Sequence, residues 1–292
     1  MSENVSSTEG KKLLIDNLLD GQGFVKVVNV SPDLHPVNRY PEYLVAKTAR
    51  ASYGSDNKSP EADKRLIEFL VRHKHTSPLE MCSITYCLKL PIAICRQLLR
   101  HRTGKFNEFS QRYSEVSEEI NRFRLDRYEG TMRGPDKLNK QASGFNLEED
   151  QVSEINDLLY KMEGLQDQVF ETYQSLLKAG HARELSRFYL PLSTYTVIFV
   201  QFDLNNLLKF FNLRCAPDAQ LEINVYAKAM RELAQQFFPI SIGMHLEYEG
   251  ALMLGAYEKE MIRTGKIPEE VKSKTHQAYL KEVAEELEIK LN

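Results

Sequence analysis

A single α+β domain, with a central sheet flanked by helices, is the fold class this sequence predicts. Three observations carry it. Runs rich in β-branched and aromatic residues recur at residues 24–30, 81–90 and 193–202. Patterns of helical period stand between and after them, the longest over residues 151–178. No internal repeat and no clean linker divides the 292 residues, a length that can close around one large core.

The elements follow in order. The first residues are polar, rich in Ser and Glu, and read as a frayed extension over residues 1–22. Residues 24–30 alternate imperfectly and read as a strand; residues 43–52 look helical. Ser59, Pro60 and Glu61 then open a further helix. Ser59 caps its free amides, Pro60 has the φ of a first helical position, and Glu61 with Asp63 complements the dipole. Leu66, Phe69 and Leu70 give this helix an apolar stripe. The β-rich run 81–90 stops at Pro91, which can start a helix over residues 92–102. Residues 103–113 are irregular, and residues 115–149 are polar and contain Gly, the pattern of an insertion. The long helix 151–178 meets a stop at Gly180. After the strand 193–202 come helices at 204–213 and 218–238, and a charged terminal helix at 270–291. We expect one domain over residues 23–250, with a helical extension over 251–292.

Composition narrows the function classes. The formal net charge is −3, with 42% hydrophobic and 27% charged residues, an ordinary globular balance. No apolar run approaches the roughly 20 residues of a membrane helix, and the N-terminus has no basic-then-apolar leader pattern. Cys82, Cys87, Cys95 and Cys215 form no CxxC pair, so reduced thiols in a cytoplasmic compartment are expected. A mildly acidic chain gives no global reason to bind nucleic acid or a membrane surface. Any polyanion site must be local.

One segment is rich enough to be such a site. From Arg96 to Tyr113 the chain concentrates five basic side chains and one carboxylate, Glu108. Arg96 and Arg100 share a helix face if the helix continues that far. Guanidiniums converging with Gln97 and Ser110 suit a phosphate or a pyrimidine edge, because Arg supplies fixed forks of donors. On residue types alone a solvated basic face is an equally good reading. A nucleic-acid-binding module that stacks bases on Phe106, Phe109 and Tyr113 is another.

The order of residues separates these readings. Arg100-His101-Arg102, seven intervening residues and then Ser110 resembles the signature of flavin-dependent thymidylate synthases. Asn107-Glu108 and Arg112-Tyr113-Ser114 fit the same pattern, as do His75-Thr76-Ser77-Pro78-Leu79-Glu80, Pro91 and Gln97 upstream. Arg187 through Leu190-Pro191 and Asn212-Leu213-Arg214 with Ala219-Gln220 and Glu222-Ile223 fit it downstream. The resemblance sets the domain limits 23–250 and implies the fold of that family, a homotetramer with active sites between subunits, and synthesis of dTMP from dUMP. FAD would be the cofactor, methylenetetrahydrofolate the carbon donor and NADPH the reductant.

The resemblance also implies roles for residues. Arg214 would polarise the uracil ring, as the catalytic residue. Gln97, Arg100, Glu108, Ser110, Arg112, Arg187 and Arg214 would bind dUMP. Ser77, Arg100, His101, Arg102, Glu108, Asp203, Asn205 and Lys209 would hold FAD, His75 would line the folate and flavin side, and Glu80 would orient its loop. Asp203, Asn205 and Lys209 depart from the family, which usually has Asn, Arg, and Asn or His there. Met81 and Lys105 likewise stand where a His and a Ser are common. A different uracil-containing substrate remains open on these motifs. No cysteine stands in the setting of a thiolate nucleophile, although Cys215 follows Arg214 directly. Ser110 lacks a nucleophile elbow and reads as a ligand. His73 and His75 lack a third metal ligand, so no metal is expected. Neither Gly21-x-Gly23 nor Thr103-Gly104-Lys105 completes a nucleotide-binding loop.

Overall fold

The computed structural model describes residues 10–33, 40–51, 59–110, 123–135, 143–144, 147–248 and 254–291. Two compact units divide the chain, Met1–Leu246 and Glu247–Asn292. Strands of the first are β1 (Leu14–Leu18), β2 (Gly23–Ser31), β3 (Ser83–Pro91), β4 (Lys105–Glu108), β5 (Gly134–Pro135), β6 (Ser143–Gly144) and β7 (Tyr195–Asp203). Its helices are α1 (Tyr43–Ala49), α2 (Pro60–Arg72), α3 (Ile92–Leu98), α4 (Glu149–Lys178), α5 (Arg183–Ser186), α6 (Leu204–Arg214), α7 (Leu221–Gln235) and α8 (Pro239–Glu247). Five strands form an antiparallel sheet in the order β1-β2-β3-β7-β4, and β5 pairs only with β6. The α+β expectation holds.

The period of two along the central strands makes this sheet one-sided. Ile84, Tyr86, Leu88 and Leu90 are buried on one face of β3, opposite Phe202, Val200, Ile198 and Thr196 of β7. Val25, Val27 and Val30 of β2 extend the same apolar surface. Each fully buried aliphatic or Phe side chain there contributes about 1.5–3 kcal/mol. Helix α7 covers this face at β1 and β2, and Tyr86 OH donates to the carbonyl of Met230 at 3.0 Å. The opposite face leaves Val28 and Phe199 exposed.

Several termini form as their residues require. Ser59 Oγ accepts from Ala62 N at 3.3 Å, with Pro60 as the first residue of α2. Gly180 takes φ +86 just after α4, where the left-handed region favours glycine. Glu42, wholly buried, accepts from Ile240 N at 2.7 Å, Ser241 N at 2.9 Å and Ser241 Oγ at 2.7 Å, which ties the start of α1 to the start of α8.

Four expectations for the first unit are corrected. Residues 14–18, expected within a polar extension, form β1, because Leu13, Ile15 and Leu18 pack onto the core. Helix α3 ends at Leu98, well short of Arg102, so Arg96 and Arg100 do not share a helix face. A tight turn follows, with Gly104 N donating to the His101 carbonyl at 2.9 Å. A Cβ on Gly104 would lie 2.7 Å from the Phe202 ring, so only glycine lets the chain pass so close. That turn delivers β4, which residue pattern left irregular because Phe106 is its single apolar residue. In α2 the buried apolar side chains are Ile67 and Leu70, whereas Phe69 is exposed beside the rings of His73, 4.3 Å away, and His75, 5.7 Å away.

The second unit has its own small core of Met261, Val271, Leu280, Val283 and Ala284, on helices α9 (Ala256–Thr264) and α10 (Lys274–Glu286) and the link between them. The terminal helix starts at Lys274 rather than residue 270, because Ser273 Oγ accepts from His276 N at 3.4 Å. Among the described residues no helix is long and apolar enough to cross a membrane.

Candidate active site

The basic segment runs from α3 through the 99–104 turn into β4, at the edge of the sheet. There it meets α6 and the start of α7, more than a hundred residues away in sequence. Two hydrogen bonds join the two parts. Gln97 Nε2 donates to Gln220 Oε1. Arg214 Nε donates to His101 Nε2 at 2.9 Å. For that bond His101 must carry its proton on Nδ1 and offer a lone pair on Nε2. Burial, and then the Arg214 charge, push the His101 pKa down to about 4, so the ring is a neutral acceptor near neutral pH. The edge of Phe210 packs against it at 4.8 Å.

Arg214 is the last residue of α6 and half-buried, and burial lowers its pKa. Its Nε is committed to His101, which leaves the planar fork of two terminal nitrogens for another partner. Buried Asn224 donates to the carbonyls of Arg214 at 3.0 Å and Ala216 at 3.1 Å, pinning the backbone from which that fork projects. Sequence reading missed Asn224; it is a polar residue inside an apolar helical pattern, and only tertiary proximity shows its partner. No ion pair among the described residues uses Arg96, Arg100, Arg102, Lys105, Arg187, Lys209 or Arg214. Arg100, Arg102 and Lys105 are exposed beside the turn. The result is a cationic edge whose charges are free for an anion.

Other expected residues lie around it. Glu108, on β4, accepts from Thr196 Oγ1 of β7 at 2.8 Å. Ser110 follows β4 and is half-buried, while Arg112 lies outside the described residues. Asp203 caps α6: it accepts from Asn206 N at 2.9 Å and from Asn206 Nδ2 at 2.7 Å. A short polar side chain before a helical run was the available signal for that cap. Asn205 is buried and donates to Glu80 Oε1 at 3.2 Å, so the 3₁₀ turn Ser77–Met81 is fastened to α6. His75 and Ser77 are exposed at the entry to that turn, and Lys209 is exposed on α6. Arg187 Nε donates to the Glu184 carbonyl at 3.4 Å. No hydrogen bond among the described residues joins Arg187 to the His101–Arg214 pair.

Sulfur chemistry finds no support in this geometry. All four cysteines are outside any disulfide. Burial pushes Cys82 and Cys95 up to about 12, and raises Cys87 as well. Cys215 is buried despite its place after Arg214. No group of three metal-ligating side chains occurs among the described residues.

With these contacts in view, comparison with known proteins is decisive. Residues 34–240 match the thymidylate synthase complementing protein family. The chain belongs to that family. A flavin-dependent thymidylate synthase of Ehrlichia ruminantium (strain Gardel) is 40% identical over 227 residues, covering 78% of this chain and 71% of that protein. One from Thermus thermophilus is 39% identical over 236 residues, covering 80% and 79%. Among solved structures, the UMP/dUMP methylase PolB from Streptomyces cacaoi bound with 5-Br dUMP is 27% identical with a TM-score of 0.62. That alignment covers 78% of this chain and 96% of the other. The family match takes in α3, the cationic turn, β4, α6 and α7, so the residues joined by the two hydrogen bonds lie within the matched region.

Proposed function

We propose that this chain synthesises dTMP from dUMP, with FAD as cofactor, methylenetetrahydrofolate as carbon donor and NADPH as reductant. The observation that carries this reading is the Arg214 guanidinium, oriented by neutral His101 and with its terminal fork unpaired among the described residues. Methylation at C5 of uracil develops negative charge on the ring, and a fixed fork of donors at that edge lowers the barrier without a thiolate. Gln97, Arg100, Glu108, Ser110, Arg112 and Arg187 hold dUMP in this reading.

The donor set suits a dinucleotide: Arg100 and Arg102 are exposed guanidiniums without a carboxylate partner among the described residues, and Ser77, His101 and Glu108 add neutral and anionic contacts. When bound, the flavin supplies the hydride that completes the methyl group. Arg100, Arg102 and Lys209 offset phosphate charge. Asn205 and Asp203 act through what they hold, the Ser77–Met81 turn and the start of α6. His75, in the ring cluster with Phe69, lines the folate and flavin side.

We further infer a homotetramer with active sites between copies. Helix α4 leaves Leu158, Tyr160, Met162 and Leu165 exposed, and Arg187 is followed by Phe188 and Tyr189, 75% and 69% exposed. Apolar surface of this size in a metabolic enzyme calls for a partner. A second copy that covers it would also bring its own Arg187 to this site, which no described hydrogen bond joins to the Arg187 of the same chain.

The test is an anaerobic assay with dUMP, methylenetetrahydrofolate and NADPH, with UMP as a competing substrate. We expect yellow protein with stoichiometric noncovalent flavin, and dTMP as the product. Replacing His101 and Arg102 by alanine should lower flavin occupancy while the melting profile stays cooperative. Protein that stays colourless after incubation with FAD yet makes dTMP would remove the flavin from the reading.

Thiol-free activation gives a second expected result. Replacing all four cysteines should leave turnover measurable, with losses of about 1 kcal/mol of stability at each buried site. Chemical denaturation and the dTMP assay together separate the two effects. A folded Cys215→Ala protein with no turnover would refute electrostatic activation.

A further inference from the structure

Among the described residues, the polar connection ahead of α4 reaches back to the site through Arg133. Its guanidinium is held on three sides. Nε donates to the Gly130 carbonyl at 2.5 Å, Nη1 donates to Ser143 Oγ at 3.2 Å, and Nη2 pairs with Glu222 Oε1. Glu222 is buried in the first turn of α7. Its other oxygen accepts from Gln220 Nε2 at 2.7 Å, and Gln220 Oε1 in turn accepts from Gln97 Nε2.

Direction along this relay is dictated by chemistry. A carboxylate paired with a guanidinium can only accept, so Gln220 must turn its NH2 toward Glu222 and its oxygen away. That oxygen can only accept, so Gln97 must turn its own NH2 toward Gln220. The carbonyl of Gln97 is thereby left outside the relay, with one remaining N–H. Reversing the Gln97 amide would set two oxygens against each other.

We propose that Arg133 is a positioning residue for Gln97: through Glu222 and Gln220 it fixes the amide so that Gln97 Oε1 is offered to a hydrogen-bond donor of the nucleotide. This rests on the dUMP reading above. dUMP carries two donors, the ring N3–H and the 3′-hydroxyl, and the Gln97 acceptor engages one of them. Arg133 is thus part of the substrate site without touching substrate.

Calorimetric titration of the full chain with dUMP tests this. Gln220→Ala breaks the relay at an exposed residue and leaves the Arg133–Glu222 pair in place, so the fold survives. It should weaken dUMP about five- to tenfold, the worth of one oriented hydrogen bond, and Arg133→Met should do so at least as strongly. In a Gln97→Ala background neither change should weaken dUMP further, because both act through Gln97. With N3-methyl-dUMP or 2′,3′-dideoxyuridine monophosphate, the Gln220→Ala penalty should vanish for the analogue that lacks the engaged donor. Additive penalties in the Gln97→Ala background, or a full penalty with both analogues, overturn the proposal while dUMP binding itself stands. Failure of the unaltered chain to bind dUMP overturns it together with the reading on which it rests.

Discussion

Arg214→Ala is expected to depress turnover about 10²–10³-fold at saturating dUMP, the usual cost of losing one preorganised donor aimed at developing charge. The effect should fall on turnover rather than on the dUMP requirement, because the charge that Arg214 meets appears mainly as C5 attacks. Its Nε is already taken by His101 at 2.9 Å, so in the proposed reading the two terminal nitrogens would do this work as a fork of fixed orientation. Arg214→Lys should therefore rescue poorly, since an ammonium on a flexible stem reproduces neither the fork nor the His101 contact. Flavin reduction by NADPH, followed on its own, should survive if flavin remains bound. Arg112→Ala, by contrast, should chiefly raise the dUMP requirement. Steady-state assays across dUMP concentrations separate the two, and normal turnover of Arg214→Ala with saturating dUMP would mean that another group polarises the ring.

Asp63→Ala is expected to cost about 3–5 kcal/mol of stability, as for other buried pairs broken on one side. Asp63 sits in the first turn of α2 and pairs with Arg50 at the end of α1, and both side chains are about nine-tenths covered. Removing the carboxylate strands a guanidinium where water cannot reach it, and also takes an anion from a helix N-terminus. At roughly 2–4 °C per kcal/mol for a domain of this size, the midpoint of thermal unfolding should fall by about 6–20 °C. Replacing both partners, Arg50→Met with Asp63→Leu, should recover most of the loss, since two apolar groups leave no buried charge behind. Below the transition, the folded fraction of Asp63→Ala should keep its specific activity. A midpoint shift within a degree or two would mean that water or another group solvates Arg50 once Asp63 is gone.

What the sequence determined by itself were the features that local chemistry controls. The cap at Ser59, the stop at Gly180 and the alternation of β3 and β7 depend on near neighbours, and each appears where the residues require it. The family, too, was legible, because His101, Arg102, Glu108 and Ser110 keep an order and spacing that survive without knowledge of the fold. Only the tertiary structure decided which of these residues meet. Residue pattern extended α3 to Arg102, because nothing within that run of residues demands a stop. The stop comes from the need to turn past the Phe202 ring at Gly104 and pair β4 with β7. The same folding brings Arg214 to His101 and Gln220 to Gln97 across more than a hundred residues. It also gives Asn224 and Arg133 work that their neighbours in sequence do not announce. A hydrogen bond depends on position and direction in space, and those are set by the packing of α6 and α7 against the sheet.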